Sequence, residues 1–472
     1  MGARRLARAA AALTSAIGRR AAVSAAAVAA FHLAALPLPA SAQQRPMPIV
    51  RDAETESLLR EYLAPIMRAA NVPGGTAEVV LVRERDFNAF VVDSKRIFIN
   101  TGVLVDAETP NEVIGVLAHE TGHIAGGHMA RMRDALAKAQ LMAALGMVLG
   151  AGAIAAGATS GSSDVSSGGI AVMGGGMQAA QRSLLAYQRG EEEAADRAAL
   201  KFLERTKQSA RGMLTVFARF ADQQLLSARF ADPYAQSHPI ARDRLAALTE
   251  RAKASPYYDA KDPPALQARH DLMRAKLIAF TENPASVQRR YPPTDTSLPA
   301  RYARAVLAYR MGDPQSAQRQ LDELVKAQPN NPYFWELKGQ ALLESGKPRE
   351  AVAPLRKAVA LAPKAALIRI LLGEALAATN DPALLDEAIA ELNRGLASEP
   401  NAGLAYRHLA GAYARRGDVG LADLATARGL AAEGDIATAR RYAARAQKSL
   451  KTGSPAWLQA DDIVSAKPPK VQ

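Results

Sequence analysis

Two histidines four residues apart, His119 and His123, enclose Glu120 in the segment His119-Glu120-Thr121-Gly122-His123. On a helix, side chains at i and i+4 lie about one turn apart on one face, so both imidazoles reach a single metal ion. Glu120 stands beside them, placed to take a proton from water that the metal activates. These residue types at this spacing point to metal-dependent hydrolysis. The 472 residues contain no cysteine, which excludes disulfides, thiolate-held zinc, iron–sulfur clusters and thiol catalysis.

A catalytic zinc needs three protein ligands, with the fourth position kept for water. In a cysteine-free chain the third must be His, Glu or Asp, and the candidates are Glu112, His128, Glu191, Glu192, Glu193, Asp196 and His238. Glu112 lies about two turns before His119, too far along the axis, and His128 points partly off the face. The third ligand is therefore expected from another helix. Arg189–Leu200 is that helix, with its acids crowded into a first turn where they suit the dipole. The residues alone leave the choice among those acids open.

The elements that must position the motif are legible around it. Thr109-Pro110-Asn111-Glu112 has capping-box spacing with proline at the first helical position, so the motif helix is expected to start there and run through His128. Upstream, Leu58, Leu59, Tyr62, Leu63, Ile66 and Met67 recur at helical spacing and predict a helix from about Asp52 to Ala70. Glu78–Val82, Phe87–Val92 and Arg96–Ile99 read as strands. Residues 139–163 carry no charge, and ten glycines fall between Gly146 and Gly176. That run is long enough to span a bilayer. Its glycine and serine content instead predicts a helix of small residues trailing into a buried or mobile loop, with peripheral membrane contact through 139–176 as the alternative. A second helical part is expected from about Arg182 to Lys253, then a proline-rich connection over 254–297.

From about Leu298 the chain is repetitive. Gly312, Gly346, Asn380 and Gly417 occupy equivalent turn positions at spacings of 34, 34 and 37, and Pro329, Pro363 and Pro400 follow at 34 and 37. Trp335, Lys338, Gly339 and Leu342, and more closely Tyr406, Leu409, Ala410 and Tyr413, fit the tetratricopeptide theme, with a three-residue insertion near Asn380-Asp381-Pro382. Such helix pairs bury their apolar faces on one another and offer a concave surface for a protein partner.

The other end is an address label. Arg4, Arg5, Arg8, Arg19 and Arg20 lead into the apolar run Ala21–Leu38, which closes at Ala40-Ser41-Ala42. Small residues there suit signal peptidase, so residues 1–42 are expected to be a signal peptide cleaved after Ala42, with the rest working in a periplasm. Those five arginines belong to a net charge of +13, leaving +8 for the remainder. No basic block carries interleaved aromatics, so no nucleic-acid partner is expected. With 49% hydrophobic and 22% charged residues, the balance is globular and the length suggests two to three domains.

The motif with its downstream acids resembles zinc metallopeptidases of the gluzincin type, the family of HtpX and the CAAX prenyl endopeptidases, and most of all its periplasmic members with tetratricopeptide repeats. The resemblance spans about Asp52–Val464. The family pairs His-Glu-x-x-His with Glu-x-x-x-Asp; Glu192-Glu193-Ala194-Ala195-Asp196 fits, which implies Glu192 as third ligand and Asp196 as the carboxylate orienting a ligating histidine. Gln188-Arg189 and Ala194 depart from the usual Ser-Arg and Glu without removing a ligand. Asn88-Ala89-Phe90 followed by Ile97–Gly102 resembles a strand pair whose edge accepts an extended substrate. Ser237-His238-Pro239, with Arg244 beyond, resembles a loop whose histidine occupies the open zinc position, implying His238 as a fourth ligand or latch.

The expected fold is thus mainly α: an α+β zincin-like metallopeptidase domain with a small sheet over 43–253, the connection, an α-solenoid over 298–464 and a disordered tail over 465–472. The expected function is that of a zinc endopeptidase holding one Zn2+ per chain. The resemblance implies unfolded or misassembled outer-membrane proteins as substrates, with the repeats docking the client or the outer-membrane assembly machinery. The competing expectation is a latched, weakly proteolytic periplasmic chaperone or scaffold acting through its repeats.

Overall fold

A computed structural model describes residues 47–72, 78–93, 95–160, 162–226 and 242–466. The signal-peptide expectation, the His238 latch and most of the tail lie outside these residues. The chain divides into two compact units, Met1–Pro48 with Gly127–Glu193, and Ile49–Gly126 with Ala194–Gln472.

In the second unit, β1 (Ile49–Val50) leads into α1 (Ala53–Ala69), whose N-cap Asp52 accepts from the Thr55 amide at 2.7 Å. The predicted apolar stripe of α1 is buried, with Leu58, Leu59, Tyr62, Leu63, Ile66 and Met67 at most 3% exposed. Next come β2 (Glu78–Val82), β3 (Ala89–Asp93), β4 (Arg96–Asn100), α2 (Thr101–Asp106) and α3 (Pro110–Gly126). The sheet order is β1-β2-β4-β3: β2 and β4 run parallel, the outer pairs antiparallel. Ala89 faces Ile99 and Phe90 faces Phe98, their rings stacked at 5.3 Å. β3 is therefore an edge strand of the sheet among the described residues.

Helix α3 lies at the heart of this unit, packed on α1, on the sheet and on α6 (Arg211–Leu226). Its start forms as the sequence predicts: the Glu112 amide donates to Thr109 Oγ1 at 3.3 Å. The Glu112 carboxylate reaches back to the Glu108 amide, one residue earlier than a capping box requires. The helix ends sooner than expected. Gly127 takes a left-handed φ of +65°, a conformation open to glycine, and His128 starts a new helix.

The first unit contains α4 (His128–Ser160) and the greater part of α5 (Ser163–Arg205). The expected glycine/serine loop is helical instead. The glycines act as packing surface: a Cβ on Gly146 would lie 3.1 Å from the Cα of Gly176, and the Gly150 and Gly169 backbones are as closely opposed. Helix–helix packing of this kind recovers the free energy that glycine costs within a helix.

After α6 come α7 (Arg242–Lys253), then α8 (Pro264–Thr281) and α9 (Pro284–Arg290) within the proline-rich connection, each of the last two opening on proline. Paired helices follow: α10 (Leu298–Arg310) with α11 (Pro314–Ala327), α12 (Pro332–Glu344) with α13 (Pro348–Leu361), α14 (Ala366–Ala378) with α15 (Leu385–Ser398), α16 (Gly403–Arg416) with α17 (Val419–Ala432), and α18 (Ile436–Ser449) before α19 (Pro455–Ser465). Gly312, Gly346, Asn380 and Gly417 all adopt positive φ at the predicted turns. The three-residue insertion is a single 3-10 turn, Pro382–Leu384. Buried Lys276 of α8 ties the repeats to α1: it pairs with Asp52 and with Glu54, 3.4 Å away, while Tyr302 of α10 donates to Glu54 at 2.9 Å.

Candidate metal centre

His119 and Glu120 are 0% exposed and His123 8%. The i, i+4 spacing on α3 does what helical geometry requires, bringing the two Nε2 atoms to 3.1 Å. One carboxylate oxygen of Glu192, on α5, joins them, the three donor atoms lying within 4.8 Å of one another. Two nitrogens at about 2.0–2.1 Å from a tetrahedral zinc stand about 3.3–3.4 Å apart, so this buried His, His, Glu donor set fits zinc in type and spacing.

The rest of the framework holds His119 in place. Asp196, one turn beyond Glu192, lies 3.0 Å from His119 Nδ1, so that nitrogen donates and Nε2 keeps its lone pair for a metal. Burial pushes the Asp196 carboxyl up, but its bonds to His119 and Arg244 outweigh this and hold it below the usual carboxylate range. Phe217 of α6 packs edge-on against the His119 ring at 5.5 Å. Gly122 is the one motif position where size is critical: a Cβ there would sit 2.7 Å from the Ala195 carbonyl oxygen. Only glycine lets α3 and the Asp196 turn of α5 approach so closely.

The expected third-ligand candidates separate cleanly. Glu191 lies 3.0 Å from His128 and 2.6 Å from Arg131. Glu112 lies 3.1 Å from Arg219. One expectation needs correction: Glu191, Glu192 and Glu193 do not stand in a first turn, because α5 begins at Ser163 and runs through them unbroken. Stabilisation by the helix dipole fades within the first turn and cannot explain acids seven turns in. Asn88 precedes β3, with Ala89 and Phe90 on the sheet edge. Sequence reasoning missed the partner of Asp196. Arg244 of α7 meets it through Nε at 2.5 Å and Nη2 at 2.9 Å. No local pattern pairs residues 48 positions apart; its only sequence signal was its place after Ser237-His238-Pro239.

Residues 52–252 match peptidase family M48, which encloses α1 through most of α7 and every residue of this centre. They form a peptidase M48 domain. Residues 302–366 and 337–384 match the tetratricopeptide repeat, so the M48 domain is followed by repeats. The chain is 24% identical over 312 residues to a Vibrio cholerae relative provisionally named a beta-barrel assembly-enhancing protease, covering 61% of this chain and 58% of that one. It is 26% identical over 384 residues to the beta-barrel assembly-enhancing protease of Yersinia pestis, covering 79% of this chain and 75% of that one. Of solved structures, MamA aligns with 34% of this chain and 90% of its own length at 23% identity and a TM-score of 0.28.

Proposed function

We propose that the protein is a zinc-dependent endopeptidase of the periplasm, exported by residues 1–42 and acting in quality control of outer-membrane proteins. The observation that carries the reading is the buried meeting of His119, His123 and Glu192 in an M48 domain. These three residues would hold the zinc. Bound there, zinc would supply a Lewis acid toward carbonyl and water oxygens and lower the pKa of water toward neutrality. Glu120 accepts the proton of the attacking water and delivers it to the departing amine. Asp196, held by Arg244, keeps the His119 ring in one orientation and one tautomer. Asn88, Ala89 and Phe90 present the sheet edge along which an extended polypeptide adds as another strand, through main-chain bonds that tolerate many sequences. His238 acts as a latch on the open position.

The names borne by the Vibrio and Yersinia relatives support misassembled β-barrel proteins as clients, with the repeats docking the client or its assembly machinery. Digestion of casein and of an unfolded porin by wild type and Glu120→Gln, with and without chelator, tests the reading. Wild type cleaves and loses cleavage with chelator, while Glu120→Gln keeps its metal and does not cleave. Unimpaired cleavage by Glu120→Gln overturns it.

A further inference from the structure

We propose that the α4–α5 hairpin crosses a phospholipid bilayer. Among the described helices one stretch, His128–Gly157 of α4, is long and apolar enough to cross a membrane by itself, and little of it is buried within the protein; α5 is the less apolar leg packed beside it. No residue is charged between Lys138 and Asp164, nor between Asp164 and Arg182. At 1.5 Å per residue the uncharged helical legs, 139–160 on α4 and 165–181 on α5, measure about 33 and 25 Å, close to a hydrocarbon core about 30 Å thick.

The hairpin is packed opposite to a soluble helix pair. Gly146, Gly150, Gly169 and Gly176 meet in the seam beside Met173 and Ile154, while the other large apolar side chains, with Gly152, Gly168, Gly174 and Gly175, face outward. Val148, Leu149 and Leu141 are 69%, 64% and 61% exposed on α4, and Ile170 is 65% exposed on α5. At about 100° per residue, the exposed Leu141, Met142, Leu145, Met147, Val148 and Leu149 surround α4 on every side except that of Gly146 and Gly150. A groove on a protein covers one face of a helix; lipid covers all of them. Glycine seams with apolar exteriors are how helices associate where the solvent is itself apolar.

The polar residues sit where headgroups would be. Thr159, Ser160, Ser162 and Asp164 gather at the turn. At the open end Arg131, Arg133, Lys138, Arg182 and Arg189 outnumber Asp134, Glu191 and Glu193, Glu191 being paired with Arg131. That excess suits an anionic lipid surface.

The cysteine-free chain makes the test direct. The mature chain from Gln43, without the apolar run Ala21–Leu38, is reconstituted with vesicles of phosphatidylethanolamine and phosphatidylglycerol and centrifuged through a density gradient. The protein floats with the vesicles. A dye on Val148→Cys shifts to the blue, and Ser160→Cys reacts with an impermeant maleimide only after detergent, whereas Ser183→Cys reacts without it. The double variant Val148→Lys, Ile170→Lys loses flotation while its helical circular dichroism is unchanged. Protein remaining at the bottom of the gradient overturns the proposal, as does a Ser160→Cys that reacts freely in intact vesicles. So does a Val148→Cys that crosslinks to an unfolded β-barrel protein in the absence of flotation, which would make the hairpin a client-binding element.

Discussion

Arg244 closes on Asp196 with two guanidinium nitrogens, at 2.5 and 2.9 Å, and Asp196 in turn holds His119 Nδ1 at 3.0 Å. Three side chains from three helices thus form one chain of charge-assisted bonds ending at Nδ1 of the ring whose Nε2 faces His123. Outer partners of ligating histidines typically change metal affinity or activity by about 10–100-fold when removed. Arg244→Ala is expected to weaken zinc binding within that range, measured by competition with a chromophoric chelator. Arg244→Lys should recover only part of it, because an ammonium cannot make the paired contact.

The metal itself should be countable. Wild type is expected to hold one zinc per chain by elemental analysis, and His119→Ala and Glu192→Ala to hold none. A metal that binds only the folded state stabilises it by about 2.7 kcal/mol at a hundredfold excess over its Kd. Chelation should therefore lower the Tm of wild type and leave that of both variants unmoved.

Gly122→Ala probes the approach of α3 to α5. The added methyl would meet the Ala195 carbonyl oxygen at 2.7 Å, and backbone has no rotamer to yield. Overpacking of this kind costs about 1–3 kcal/mol. The urea midpoint should fall accordingly. Zinc affinity should drop with it, because moving Asp196 away loosens His119.

His270 gives the fold a dependence on acid. Its ring lies 3.1 Å from the Tyr62 hydroxyl through Nδ1 and 3.0 Å from the Ala107 carbonyl through Nε2, so Nε2 carries the proton and Nδ1 accepts. Burial, partly opposed by the bond to Ala107, pushes its pKa from 6.5 down to about 4. The unfolded chain therefore binds the proton first, and the contribution of His270 is complete above pH 6.5 and lost as pH falls toward 4. Between pH 7 and pH 4.5, wild type should lose more stability in urea than His270→Gln. Equal losses would show that the other groups titrating in this range account for all of it.

Much of this was legible locally. The motif helix, its capping residues, the buried stripe of α1, three of the four strands and the repeat turns all follow from patterns within a few residues. The left-handed turns at Gly312, Gly346 and Gly417 are the clearest case, since glycine enters that region without strain. The short strand Ile49–Val50 carried no such pattern and exists because β2 offers it an edge. The run 139–176 reads from sequence as a helix of small residues trailing into a loop, because the glycines of its later part are poor helix formers in isolation. Paired across a seam they become the contact surface, which no single-strand reading of propensity contains.

By itself, then, the sequence determined that two imidazoles would share a helical face beside a carboxylate, and that helix pairs would follow at a period of 34 residues. The first is a consequence of the 3.6-residue turn and the second of turn residues recurring once per helix pair, both read over short separations. Only the tertiary structure decided that Glu192 meets the histidines while its neighbour Glu191 pairs with His128 and Arg131, and that Arg244 steadies Asp196. Those choices depend on how helices remote in the chain rotate and approach one another, and that is set by packing rather than by spacing.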